Sequence, residues 1–198
     1  MTVPGSLYTP TIRKTRASAY LLEQSLLFDG TSAYLNRTPS TAGNRKTWTY
    51  SVWFKLGNPK IQQLFSAGVD SSNCLRIQYM STGTIRFRHL GGGFTDDVAT
   101  NAFFRDHSAW YHIVVSVDTT QSTDTNRVKI YINGTAQSFG TTNYPTLNFD
   151  TDCNSTVKHT IGDAPTDVDH EFSGLMALPI LVDGSALGPT SFGETDAD

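Results

Sequence analysis

Carboxylates are the first side chains to weigh for chemistry. Glycosidic cleavage needs two of them flanking the scissile bond, one as acid and one as base or nucleophile. The chain carries only three glutamates, Glu23, Glu171 and Glu194, far apart in sequence. Asp96 and Asp97 are adjacent, but neighbours in a strand point to opposite faces and make poor partners. A hydrolase is not expected, and the chain reads as non-enzymatic, with no catalytic residues. Asp163, Asp167 and Asp169 share one loop, and Asp150 and Asp152 another. Hard oxygen ligands in loops suit Ca²⁺, so Asp163, Asp167 and Asp169 are the candidate metal site and calcium the one cofactor to consider. Aspartates in turns also cap backbone N–H groups or stay solvated, and the spacing matches no defined calcium loop. The histidines (His89, His107, His112, His159, His170) show no metal-ligand spacing. No serine or cysteine sits in a nucleophile elbow, and Gly91-Gly92-Gly93 lacks the lysine and strand–helix context of a phosphate loop. Tyr79, Phe94 and Tyr144 are the aromatic candidates for stacking on sugar rings.

Net charge is −3 with 17% charged residues. A nucleic-acid binder usually concentrates basic side chains on one face, so nucleic acid is not an expected partner. The short run Arg13-Lys14-Thr15-Arg16 reads instead as part of a terminal arm. No apolar run is long enough to span a bilayer. Met1 to Pro10 lacks the charged and apolar regions of a signal peptide, so export by that route is not expected, and Cys74 and Cys153 read as two thiols rather than a disulfide.

The elements that must position these residues are strands. Between Ala109 and Gly134 two runs of period two, Trp110–Asp118 and Val128–Asn133, flank a polar connector, Thr119–Asn126. Alternation rich in β-branched and aromatic residues marks strands with one buried face. Asn133-Gly134 supplies the positive φ values of a tight hairpin, which predicts a third strand over Thr135–Gly140. Thr47–Lys55 alternates too, with Trp48, Tyr50, Val52 and Phe54 on one side. Further strands are expected at Ser32–Arg37, Ile61–Ala67, Cys74–Met80, Thr84–His89, Phe94–Asn101, Val157–Gly162 and Phe172–Val182, the last bulged or at an edge because of Pro179. Thr141–Ser155 is polar and reads as a long surface loop. Ala186–Phe192 could form one helical turn. Residues 1–18 read as an extended arm with Arg13, Lys14 and Arg16 as its basic contacts, and residues 19–198 as one domain. Many short strands with turn residues between them predict an all-β, two-sheet antiparallel β-sandwich of the jelly-roll type.

The order of Phe28-Asp29-Gly30, Trp48–Lys55, Trp110-Tyr111-His112 with Asp118, Tyr131-Ile132-Asn133-Gly134, Ile161-Gly162 and Phe172-Ser173-Gly174 resembles laminin-G-like (concanavalin A-like) jelly rolls over about Ser25–Gly193. Leu35-Asn36-Arg37-Thr38, Gly43–Trp48 and the ending Phe192-Gly193-Glu194-Thr195-Asp196 are similar to laminin-G-like modules in structural proteins of tailed phages, particularly of marine and cyanobacterial hosts. Two departures stand out. The run Gly174-Leu175-Met176-Ala177-Leu178 lacks the acidic residue relatives carry after the glycine, and no E-x-D-x-x-E of retaining glycosidases on this fold is present. The resemblance implies a virion structural protein, a tail fibre, spike or head-decoration component. The arm would contact other virion proteins, or copies of the chain in a trimer, and rim loops would attach to host-surface glycan. Localisation is then the virion, assembled in the host cytoplasm. Relatives often hold calcium at the rim. The alternative is a free-standing carbohydrate-binding lectin module, with a glycan-degrading enzyme disfavoured. The chain reads either as a short member or as one module of a longer product.

Overall fold

The computed structural model describes residues 24–91, 94–164 and 170–193. Thirteen strands among them form two antiparallel sheets. The strands are β1 (Leu26–Asp29), β2 (Leu35–Arg37), β3 (Thr47–Leu56), β4 (Gln62–Asp70), β5 (Asn73–Tyr79), β6 (Ile85–Gly91), β7 (Phe94–Thr100), β8 (Tyr111–Asp118), β9 (Val128–Ile132), β10 (Thr135–Ala136), β11 (Phe139–Asn143), β12 (Lys158–Ile161) and β13 (Ser173–Asp183). One sheet is ordered β1-β13-β3-β8-β9-β10, the other β11-β7-β6-β5-β4-β12-β2. This is the all-β sandwich expected from the alternating runs.

Alternation decides which side of each strand is buried. On β3, Trp48, Tyr50, Val52 and Phe54 are all at most 1% exposed and face the other sheet, where Leu75, Ile77, Ile85, Phe87 and Val98 meet them. Tyr50 stacks on Phe65, and Phe54 and Phe28 both meet Phe172 edge-on. The phenylalanine of the Phe28-Asp29-Gly30 motif thus reaches the core. Its aspartate closes the following turn, accepting hydrogen bonds from the backbone N–H of Thr31, Ser32 and Ala33 and from the Ser32 hydroxyl. These bonds hold the Asp29 carboxyl well below its ordinary value. Gly174 has φ +139°, and a Cβ there would collide with the Lys55 carbonyl across the β13–β3 pair.

Asn133 (φ 48°) and Gly134 (φ 78°) form the expected tight turn. The strand beyond it is shorter than predicted, ending at Ala136. Thr135 and Gln137 offer nothing apolar to the core, and the chain crosses over so that Phe139 starts β11 beside β7. The surface loop expected over Thr141–Ser155 is a correction as well. Thr141–Asn143 completes β11, and Thr151, Cys153, Asn154 and Ser155 are buried. The polar residues there satisfy irregular backbone at one end of the sandwich. The Thr151 hydroxyl donates to the Arg45 carbonyl and accepts from Trp48 Nε1, and Asn154 Nδ2 donates to the Asn44 carbonyl. In β13 the register against β3 shifts between Ala177 and Ile180, around Leu178 (φ 46°) and Pro179. The short turn near the end is a 3-10 turn, Pro189–Ser191. Cys74 and Cys153 form no disulfide with each other, and burial pushes the Cys153 thiol up.

Candidate functional site

Register, rather than sequence proximity, assembles the site. Pairing aligns Asn36 (β2), Thr160 (β12), Ser66 (β4), Arg76 (β5), Arg88 (β6), Asp97 (β7) and Asn143 (β11) in one row across all seven strands. The next row runs Gln63, Gln78, Arg86, Ala99, Thr141. Both lie on the outward face, because their strand neighbours Leu75, Ile77, Ile85, Phe87 and Val98 fill the core.

These outward side chains are unusually dry. Gln63 and Ser66 are 0% exposed, Thr160 1%, Gln78 4% and Arg76 6%. Several of their polar atoms have no hydrogen-bond partner among the described residues: both amide atoms of Gln63, Oε1 of Gln78, Oγ1 of Thr160 and Nε of Arg88. A buried polar atom left unmatched costs roughly 1–3 kcal/mol, so a cluster of them on one face marks where partners beyond the described residues are to be sought. The arginines are not equivalent. Arg86 Nε donates to Asp97 Oδ1 at 2.6 Å and its Nη2 to Oδ2, a two-pronged ion pair. This contact holds the Arg86 guanidinium above its ordinary value. Arg76 donates to Cys74 Sγ and the Ser71 carbonyl. Arg88 stands between them, and burial, followed by repulsion from Arg86, pulls it below its ordinary value.

A concavity of about 510 Å³ opens at the edge between the sheets and is lined by Leu35, Arg37, Tyr50, Phe65, His159 and Leu181, with Asn36 and Thr160 from the end of the polar row. Its polar groups are largely spoken for. His159 bonds Asn154 N–H through Nε2 and the Val157 carbonyl through Nδ1, and Tyr50 donates to the Leu64 carbonyl. Ser51 Oγ and His112 Nε2 lie 2.8 Å apart on the outward face of the six-stranded sheet. Both are buried, His112 stacks on Trp53 at 4.7 Å, and Phe192 meets the ring edge-on. A nucleophile there would be shielded by the chain's own tail, and the pair reads as a strand-to-strand bond.

The residues singled out from sequence fall in different places. Tyr79 is a correction: it has the inward parity of β5 with Leu75 and Ile77, so its ring belongs to the core between the sheets and not to the outward face. Tyr144 is half-buried and packs edge-on against Phe139. Phe94 starts β7, but its side chain lies outside the described residues. Of the proposed calcium loop, only Asp163 is described. Its backbone carbonyl accepts from Ser66 Oγ at 2.7 Å and its Oδ1 from the Ala164 N–H, which sets Asp163 itself against the polar row. Asp167, Asp169, Arg13, Lys14 and Arg16 lie outside the described residues. Asp152 faces His89 Nε2 at 3.2 Å instead of its loop neighbour Asp150. Among the described residues no group of three or more His, Cys, Asp or Glu is arranged to hold a metal ion. Sequence reasoning missed Gln63, Ser66, Arg76, Gln78, Arg88 and Thr160. The available signal was their parity, since each alternates with apolar residues that the core claims.

Residues 29–179 match a family described as the "Concanavalin A-like lectin/glucanases superfamily". The chain belongs to that family. A search of curated proteins returns no match. Among solved structures, the chain is similar to domain 4 of AbnA, a GH43 extracellular arabinanase from Geobacillus stearothermophilus, in complex with arabinotriose. That likeness has a TM-score of 0.61 at 19% identity, covering 84% of this chain and 73% of that one. It is also similar to the CBM40 of Ruminococcus gnavus IT-sialidase (TM-score 0.56, 14% identity, 79% and 95% covered). A third likeness is to domains LG4-5 of the mouse laminin alpha1 chain (0.60, 14%, 82% and 43%). At these identities the likeness is one of fold. No described helix is long and apolar enough to cross a membrane.

Proposed function

We propose that this chain is a carbohydrate-binding module that holds its ligand along the outward face of the seven-stranded sheet and does not transform it. The observation that carries the reading is the set of buried polar atoms on Gln63, Gln78 and Thr160, in one polar face, that have no hydrogen-bond partner among the described residues. Similarity to the CBM40 module and to the arabinotriose-bound domain supports it. Calcium stays the cofactor to test, with Asp163, whose carbonyl accepts from Ser66 Oγ, as the described member of its proposed ligands. The test is calorimetric titration of the chain and its Gln78→Ala variant with a panel of oligosaccharides, in calcium and in EDTA. Binding weakened about tenfold or more by the substitution is expected. A wild-type chain that binds no glycan, or a variant that binds equally well, sinks the reading.

A second reading mounts the same module on a phage particle, in contact with other virion proteins or with copies of itself. It draws on the sequence resemblance and on one observation: Leu27 of β1 is 74% exposed and Leu26 48%, with Leu35 of β2 and Tyr34 just before it also exposed, in the segment that follows the proposed arm of residues 1–18. Sedimentation of the wild type and of Leu27→Asp tests it. A trimer converted to monomer favours the particle, and a wild-type monomer argues against it.

A further inference from the structure

Resting on the glycan-binding reading, the geometry points to a narrower ligand class: an acidic saccharide whose carboxylate or sulfate sits against Arg88 in the polar row. In register, Arg88 lies directly opposite Asp97 on one side and Arg76 on the other. The expected salt bridge to Asp97 does not form, because both oxygens of Asp97 are taken by Arg86 on the diagonal. Like charges placed directly opposite one another on neighbouring strands destabilise a sheet. Among the described residues of the two rows, Arg86 and Arg88 stand beside a single carboxylate, Asp97, which Arg86 engages with both prongs. Arg88 Nε is buried and has no hydrogen-bond partner among the described residues.

A neutral sugar could satisfy the glutamines and the threonine but brings no charge to Arg88, whose Nε has no hydrogen-bond partner among the described residues. A planar oxyanion can do what Asp97 does for Arg86, accepting two parallel N–H bonds from the guanidinium fork. Gln63, Gln78 and Thr160 then take the neighbouring hydroxyls, so that one end of the row reads charge and the other reads sugar. Carboxylate and sulfate share this chemistry.

The experiment titrates the full chain with lactose, 3′-sialyllactose, an oligogalacturonate and a sulfated carrageenan oligosaccharide, then repeats the set with Arg88→Gln and Arg88→Lys while following each variant's melting temperature. Lactose should bind weakly or not at all, and at least one acidic probe should saturate. The carboxylate-only and sulfate-only probes tell the two oxyanions apart. Arg88→Gln should weaken that binding at least tenfold and flatten its dependence on salt, with an unchanged or raised melting temperature, because a half-buried cation crowded by Arg86 is removed. Arg88→Lys should recover only part of the affinity, lacking the fork. Lactose bound as tightly as 3′-sialyllactose, with Arg88→Gln unaffected, overturns the acidic specificity and leaves the glycan reading standing. A sharply lowered melting temperature in Arg88→Gln makes Arg88 structural and also overturns it. Failure of all four probes overturns the glycan reading, and this inference with it.

Discussion

The two outward faces of the sandwich solve the same problem in opposite ways. Each sheet turns one set of side chains away from the core. On the six-stranded sheet the chain covers its own face. Thr49 Oγ1 donates to the Ser185 carbonyl and accepts from the Leu187 N–H, Phe192 leans on His112, and Val114 is fully buried although it points outward. On the seven-stranded sheet the outward Gln63, Gln78, Thr160 and Arg88 keep polar atoms with no partner among the described residues. A face whose bonds are closed internally has no chemistry to offer a ligand. A face whose bonds are left open does, and the difference lies in pairing rather than in polarity.

The harshest way to break the comparison is to remove what both faces stand on. Trp48 is fully buried between them and donates Nε1–H to Thr151. Trp48→Ala should cost about 3–5 kcal/mol, with chemical denaturation showing both faces lost in one transition. Survival of ligand binding under conditions where the melting transition is complete would show that the faces are independent. A sharper test makes one chemical change twice. Thr49→Val cuts two bonds on the closed face and should cost about 1–3 kcal/mol, with faster hydrogen exchange over residues 185–193. Thr160→Val removes a buried hydroxyl that bonds nothing described and should be neutral or stabilise by up to about 1 kcal/mol, while weakening glycan binding. Equal losses from both substitutions would erase the distinction.

The mildest expected effect is on pH. Burial lowers the His112 and His159 pKa values. A base whose folded pKa lies below its unfolded one binds fewer protons when folded, so stability rises with pH through that window. Melting temperature should hold above the unfolded value of about 6.5 and fall as pH drops below it. Burial raises the pKa of Asp96, which acts in the opposite sense. His112→Gln should flatten the slope below pH 6.5.

How much of this was legible follows from where the signal sits. The inward face of β3 could be read directly, because Trp48, Tyr50, Val52 and Phe54 alternate within one run and burial needs nothing else. The turn at Asn133-Gly134 was equally local. The polar row was not legible, because each strand contributes one residue of it and only the registers of six separate pairings line them up. In the sequence Gln63, Ser66, Arg76 and Arg88 look like any solvated strand face. Tyr79 was a misreading of a signal that was present, its shared parity with Leu75 and Ile77. The burial of Thr151–Ser155 depends on bonds to Asn44, Arg45 and Trp48, which no local pattern announces.

The row that crosses all seven strands also behaves as a scale. Its marks are set by the distance between strands, about 4.8 Å, so six intervals span roughly 29 Å. Neighbouring strands in a sheet are rotated by roughly 20–25°, which makes the scale a gently wound track instead of a straight line. A short ligand can meet only a few marks wherever it lands, and a stiff rod must leave the track after the middle strands. A polymer able to wind at the same pitch can stay on it from Asn36 to Asn143.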